Sequence, residues 1–424
     1  MTSRLRVLVA VHQLDLGGSQ MNAVDLASGI ADRGHQVAVA GPDGPLVEVL
    51  RERGVPHLHI ELDDMAHAAP SYRRLTEVTR AFRPDLVHAY ELTPSLLTYF
   101  GPHRSGVPMT MTINSMSIPD FMPGSAPLQV CNPVIAAAVR RRRGPLGVLE
   151  IPTDTVDQHP GFDGSGFRAE IGVADDELLV VAVSRFARVL KQQGLETAIR
   201  AAGRLGGRVR LALVGDGPAM PDLRALAEAT NVAAAREVVT LTGMRPDPRS
   251  AYAAADVVLG MGGSLLRAMA FGKPCVVQGE RFFAPLDATT AREFRWRGFY
   301  GIGPNRVDDD GEDRLVEVLD RLLSNEARRK ENAEFALALV RQYYSLGHAV
   351  ELQLDWYRRV LAEHRTPSRR ELAATAVAVG SWVADRAVKR RRGTAQEDYF
   401  NSENRIRAGF VNPVPPSFTP DQVR

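Results

Sequence analysis

The stretch Ala255–Pro274, ADVVLGMGGSLLRAMAFGKP, decides how the chain reads. Asp256–Leu259 is a short apolar run, Gly260-Met261-Gly262 a glycine turn, and Ser264–Phe271 an apolar helix stopped by Gly272, after which Cys275–Gln278 is extended again. Strand, glycine turn, helix and strand in that order make one βαβ step of a parallel sheet. The turn lies beyond the carboxyl end of its strand, where sheets of this kind bind ligands.

The same step recurs on both sides. Upstream, strand candidates Leu178–Val183, Arg210–Val214 and Val238–Thr242 alternate with helices Leu195–Ala202 and Pro221–Ala229. The N-terminal half opens with a strand at Leu5–Val11, a loop ending Gly17-Gly18-Ser19, and a helix Gln20–Arg33 that sets Met21, Val24, Ala27, Ile30 and Ala31 on one face. Gly34 stops that helix, and Gln36–Ala40, His57–Glu61 and Asp85–Ala89 read as further strands separated by helices Leu46–Arg53 and Tyr72–Phe82. The chain is therefore α/β, with two doubly wound halves in tandem. A Gly- and Asp-rich stretch, Thr153–Ser165, reads as the linker. The expected organisation is residues 1–160, residues 161–345, a helix at 346–366 returning to the first domain, and a tail at 367–424 with an amphipathic basic helix near Trp382 and a Pro-containing end.

Composition narrows the function classes. A chain of 424 residues that is 45% hydrophobic has enough material for two cores. Its 52 Lys and Arg against 50 Asp and Glu leave no global field that would attract nucleic acid. Cys131 and Cys275 read as small buried residues, not as a disulfide framework or metal site, which fits a reducing, cytoplasmic setting. His12 and Gln13 interrupt the apolar N-terminal run, and no run approaches the ~20 residues needed to span a bilayer. The basic runs Arg140–Arg143 and Lys389–Arg392 read first as solvated helix ends and second as a peripheral contact with an anionic membrane.

The chemistry sits in the loops. Gly17 and Gly18 would let backbone approach a phosphate, with Ser19 capping the following helix. Arg185, after the strand Leu178–Val183, and Lys191, ahead of a helix, supply two cations for one anion. Gly215-Asp216-Gly217-Pro218 ends the next strand, Asp216 reading as a helix cap, and then come Gly243-Met244 and Gly260-Met261-Gly262-Gly263-Ser264.

With these loops in this order the chain resembles family 4 of the retaining, GT-B-fold glycosyltransferases, over roughly its first 350 residues. The resemblance implies two Rossmann-like domains facing each other across a cleft, a nucleotide diphosphate sugar as donor substrate, no cofactor and no metal, and a small-molecule or lipid-linked acceptor. It assigns Arg185 and Lys191 to the leaving diphosphate, where negative charge builds as the bond breaks. It places the nucleobase near Gly243, Met244 and Arg245. Attack would come from the front face without a protein nucleophile.

The chain departs from that family in both halves. Two donor-site glutamates are expected where Leu259 and Arg267 stand, and a guanidinium, which only donates, cannot accept from ribose hydroxyls. Arg267 then binds an anion on an unusual donor, faces a carboxylate such as Glu280, or marks lost activity. In the first half Asn114 stands where a histidine is usual, and His88-Ala89-Tyr90-Glu91 carries Tyr90 in place of a second histidine. Glu91 is the nearest carboxylate to serve as base, while His88 also reads as a core histidine bonded to backbone. Two other functions stay open: a catalytically silent nucleotide-sugar-binding partner protein, and a nucleotide-sugar epimerase.

Overall fold

The computed structural model describes residues 4–62, 69–139, 142–303, 309–394 and 414–418. These fall into two compact units. The first runs to Glu150 and resumes at Leu346; the second spans Ile151–Ser345 and takes in 414–418. The division after Glu150 comes before the expected linker, and the chain beyond Leu346 joins the first unit through two successive helices rather than one helix and a separate tail.

The first unit is built from β1 (Arg6–Ala10), α1 (Gly18–Asp32), β2 (Gln36–Gly41), α2 (Leu46–Glu52), β3 (His57–His59), α3 (Ala69–Phe82), β4 (Leu86–Tyr90), α4 (Leu92–Phe100), β5 (Met109–Ile113), β6 (Leu128–Val130), α5 (Pro133–Ala138) and β7 (Leu146–Val148). Its seven strands are all parallel, in the order β3-β2-β1-β4-β5-β6-β7. The direction of winding reverses between β1 and β4. Loops following those two strands diverge to opposite faces and leave a crevice at their carboxyl ends.

In the second unit the elements are α6 (Ser165–Glu170), β8 (Leu178–Val183), α7 (Gln192–Leu205), β9 (Val209–Val214), α8 (Met220–Ala234), β10 (Val239–Gly243), α9 (Arg249–Ala254), β11 (Val257–Gly260), α10 (Gly263–Ala270), β12 (Cys275–Gly279), β13 (Phe282–Pro285), α11 (Ala291–Arg297), α12 (Glu312–Leu323) and α13 (Glu326–Tyr343). The order is β10-β9-β8-β11-β12-β13, parallel except for β13 on β12. Alternation along the strands feeds two cores. Leu179, Val181 and Val258 pack on one face, and Val180, Ala182, Val257 and Leu259 on the other. Leu259 is thus a fully buried core residue.

Helices α14 (Leu346–Ala362) and α15 (Arg369–Arg391) complete the first unit. Apolar residues Val350, Leu354 and Val360 of α14 bury against the same core as β1 and β2. Polar side chains fix its position. Trp356 Nε1 donates to Thr110 Oγ1 at 2.8 Å, Gln353 Nε2 donates to Gln129 Oε1 at 3.0 Å, and His88 bridges the Tyr357 hydroxyl and Thr112 Oγ1, both at 2.7 Å. Burial pushes the His88 imidazole down to about 3, so it is neutral, with one nitrogen donating and one accepting. His88 is therefore a core histidine, held by side chains and not by backbone. Along α15 only Thr375 is buried, so its alanines and valines do not gather into the expected amphipathic stripe; Trp382 packs on the aromatic ring of Phe121 at 4.9 Å. No described helix is long and apolar enough to cross a membrane.

Replacing Tyr357 by Phe removes one partner of a buried imidazole and keeps the ring. We expect a loss of about 1–3 kcal/mol in urea unfolding. An unchanged midpoint would show that the His88 bridge does not hold α14.

Candidate functional site

The second unit presents its glycine loops at the reversal of winding between β8 and β11. After β8 the chain runs Ser184–Lys191, and the turn after β9 is pressed against it. Gly215 has φ +150° and Gly217 φ +152°; a Cβ at Gly215 would fall 1.8 Å from the Ser184 carbonyl oxygen, and one at Gly217 2.7 Å from that of Phe186. No side chain fits at Gly215. Backbone bonds stitch the loops together: Phe186 N donates to Asp216 O at 2.8 Å, Ala219 N to Phe186 O at 2.9 Å, and Gly215 N to Gly243 O at 2.9 Å. Asp216 does not cap α8, whose cap is Ala219; its carboxylate accepts from Gly217 N at 2.6 Å.

On this platform stand Arg185, exposed, and Lys191, partly buried at the N-terminal cap position of α7. Burial first, and the positive charge of Arg185 second, push the Lys191 ammonium down to about 8. No carboxylate of the described residues is among the groups that shift it. Two cations near each other can share one anion.

The next loop follows β11, the strand paired with β8. Gly260 is the last residue of β11, Gly262 turns the chain at φ +53°, and α10 starts at Gly263. Ser264 Oγ donates to Met261 O at 3.0 Å, and the Met261 side chain is buried. At the end of β10, Gly243 adopts φ +76°, and the next residue, Met244, is 63% exposed. Arg245, expected near the base, is engaged elsewhere: it pairs with Glu170 and lies over the Phe167 ring. Arg267 is half-buried on α10. Burial pushes the Tyr252 hydroxyl up to about 12 and the positive charge of Arg267 acts against that shift, so the two groups are neighbours. Tyr252 in turn stacks on Phe271 at 5.7 Å.

In the first unit the crevice between β1 and β4 holds a polar cluster. Gly17 is the N-cap of α1, in extended conformation and without a side-chain cap; Gly18 is the first helical residue, and Ser19 lies inside the first turn. Ser19 does not cap the helix. Its hydroxyl instead donates to Glu91 Oε1 at 2.7 Å. Glu91 follows β4 with φ +65°, a conformation that a non-glycine residue adopts at a cost, and it is the N-cap residue of α4. Asn114 N donates to the same Oε1 at 3.1 Å, Asn114 Nδ2 to Ser19 Oγ at 3.1 Å, and Ser115 Oγ to Glu91 Oε2 at 3.3 Å. Burial raises the Glu91 carboxyl above its ordinary value, against the lowering effect of these donors.

Ser19, Glu91 and Asn114 thus form one hydrogen-bonded cluster beside Gly17 and Gly18. Sequence reasoning missed Ser115 and His12. His12, whose Nε2 sits 3.1 Å from Gln20 Nε2, is lowered by burial, with Asp15 opposing. Its position just beyond β1 is the signal that could have found it. Arg140 and Arg141 lie outside the described residues, as does most of the Pro-containing end. Arg143 pairs with Glu371. Cys275 is fully buried, and burial pushes the Cys131 thiol up to about 12, so neither is a reactive thiolate. Among the described residues no group of three or more His, Cys, Asp or Glu is placed to hold a metal ion.

Comparison with known proteins agrees with this architecture. Residues 16–141 match the family described as Glycosyltransferase Family 4, and residues 177–281 that described as Glycosyl transferases group 1. The first match contains Ser19, Glu91 and Asn114, and the second contains Arg185, Lys191 and Arg267. No curated protein matches significantly. Among solved structures, Anabaena HepE (Alr3699) in complex with UDP superposes with TM-score 0.67 at 17% identity, covering 84% of this chain and 100% of that one. A glycosyltransferase from Rickettsia africae gives 0.69 at 16%, covering 85% and 100%. The catalytic domain of Arabidopsis thaliana starch synthase IV, bound to ADP and acarbose, gives 0.63 at 15%, covering 85% and 100%. At such identities the likeness establishes the fold, which is GT-B.

The buried Glu91 gives a test free of any ligand. A carboxyl raised above its ordinary value of 4.5 contributes stability that is present below that value and is lost as pH rises through its folded value. Glu91→Gln mimics the protonated form. It should match the wild type in thermal stability in acid and exceed it at neutral to alkaline pH. A variant less stable than wild type at alkaline pH would contradict the raised carboxyl.

Proposed function

On the premise of a GT-B scaffold with glycosyltransferase segments in both units, we propose that the chain transfers a sugar from a nucleotide diphosphate donor to an acceptor hydroxyl with retention of anomeric configuration. The observation that carries this reading is the pair Arg185 and Lys191, near enough for the charge of Arg185 to lower the Lys191 ammonium and set among glycine loops at the winding reversal of the second unit. When the bond from the anomeric carbon to the diphosphate oxygen breaks, charge grows on the diphosphate. Two fixed cations and the first N–H groups of α10 stabilise it there. The acceptor oxygen bonds to the anomeric carbon on the face being vacated, and its proton passes to the departing diphosphate.

The first unit contributes acceptor recognition in this reading. Glu91 is held by Ser19 and Asn114, so it is oriented to accept a hydrogen bond from an acceptor hydroxyl. The acceptor is a small molecule or a lipid-linked one. Arg267, where family members carry an acid, sets the donor apart. A guanidinium beside Tyr252 offers donors only, which suits an anionic or acceptor-bearing group near the ribose.

Thermal shift with a panel of nucleotide sugars, read beside release of free nucleotide diphosphate in the presence of host extracts, tests the assignment. Binding with turnover is expected, and Arg267→Glu should change which donor binds best. Binding without turnover would favour a silent binding protein, and no binding by any nucleotide diphosphate would sink the donor site.

Lys191 supplies a pH signature. With its ammonium at about 8, an anion that binds beside it should draw a proton onto the protein near that pH and none well below it. Titration calorimetry in buffers of different ionisation heat reads the uptake, and affinity should fall as pH rises past about 8. Lys191→Met should remove the uptake and weaken diphosphate binding by about 10- to 100-fold, the equivalent of one charge-assisted contact. Uptake that survives the substitution would place the anion elsewhere.

A further inference from the structure

Val414–Phe418, Val-Pro-Pro-Ser-Phe, is a short segment near the C-terminal end of the chain that lies on α11 of the second unit. Arg292, in the first turn of α11, holds its backbone. Nη2 donates to the carbonyls of Pro415 at 2.7 Å, Pro416 at 3.3 Å and Phe418 at 3.1 Å, and Nε donates to Phe418 O at 3.2 Å. Phe418 N closes a turn onto Pro415 O at 2.9 Å. Phe418 is 7% exposed, and its ring meets Trp296 edge-on at 4.8 Å.

Each part of this contact is specific. Proline has no N–H, so a Pro-Pro pair leaves few local donors for the surrounding carbonyls, while its rings limit the freedom lost on docking. A guanidinium fork satisfies several such carbonyls at once, and one aromatic ring anchors the end.

The far end of the same helix reaches the glycine loop. Gly298 ends α11 in the left-handed region, and the next residue, Phe299, accepts at its carbonyl from Gly262 N at 3.1 Å. Gly262 is the turn that opens α10. A segment bound to α11 is therefore one helix away from the loop assigned to the diphosphate.

We propose that Val414–Phe418 is an intramolecular ligand of a shelf formed by Arg292 and Trp296, and that its docking steadies the Gly262 turn. The effect on nucleotide affinity rests on the donor-site reading above; the docking itself does not. Releasing the segment loosens α11, and the carbonyl of Phe299 then holds Gly262 less firmly. By linkage, a nucleotide that needs the ordered turn tightens the segment in return.

Amide hydrogen exchange on the full chain separates the two claims. Phe418→Ala, a change in the tail that leaves both cores intact, should speed exchange across residues 291–299 by roughly tenfold or more, without nucleotide present. A synthetic peptide spanning 412–423 should restore protection, and the same peptide with alanine at 418 should not. Arg292→Gln should act like Phe418→Ala. Unchanged exchange in α11 would overturn the docking. Faster exchange in α11 with none at residues 260–265 would overturn the coupling to the turn. In wild type, protection of α11 that falls on dilution would assign the bound segment to a second copy and overturn the intramolecular reading.

Discussion

The loops at the winding reversal of the second unit depend on a backbone contact that leaves no room for a side chain. Gly215 sits so close to the Ser184 carbonyl that a Cβ would overlap it, and the Phe186 backbone exchanges hydrogen bonds with Asp216 and Ala219 across the same seam. The loop after β8 and the turn after β9 are therefore a single body. Arg185 and Lys191 ride on it, close enough that the charge of Arg185 helps to lower the Lys191 ammonium. An anion that binds beside two neighbouring cations relieves their repulsion and so stabilises the fold.

The two units carry complementary chemistry at corresponding places. Each has its polar residues where winding reverses, between β8 and β11 in one and between β1 and β4 in the other. One offers the cations Arg185 and Lys191; the other offers the carboxylate of Glu91, fed by hydroxyl and amide donors and raised by burial. Cations suit a departing diphosphate, and a held carboxylate suits a hydroxyl. The strained φ of Glu91 is consistent with a residue kept for its position, since the hydrogen bonds of Ser19, Asn114 and Ser115 hold it there.

Much of the fold was legible because buried parallel strands are nearly continuous apolar runs bounded by glycine. β8, β9 and β11 lie within a residue or two of their expected limits. Short elements left no such signature: β6 and β7 have three residues each, and β13 pairs antiparallel at an edge. In the site, residue types were readable but their partners were not. Ser19 has the composition of a helix cap, yet the fold brings Glu91 within 2.7 Å from seventy-two positions away. Arg267 stands where an acid was expected, and only the folded chain shows Tyr252 beside it. The hold of Arg292 on the tail joins residues more than a hundred positions apart, which no local pattern encodes.

In the proposed activity a nucleoside diphosphate binds at the loops after β8, β9 and β11. Amide hydrogen exchange of the full chain, with and without each common nucleoside diphosphate at saturation, tests it most directly. Added protection is expected at residues 184–192, 215–220 and 260–265 for at least one base. Binding that protects other segments and leaves these three unchanged would contradict it.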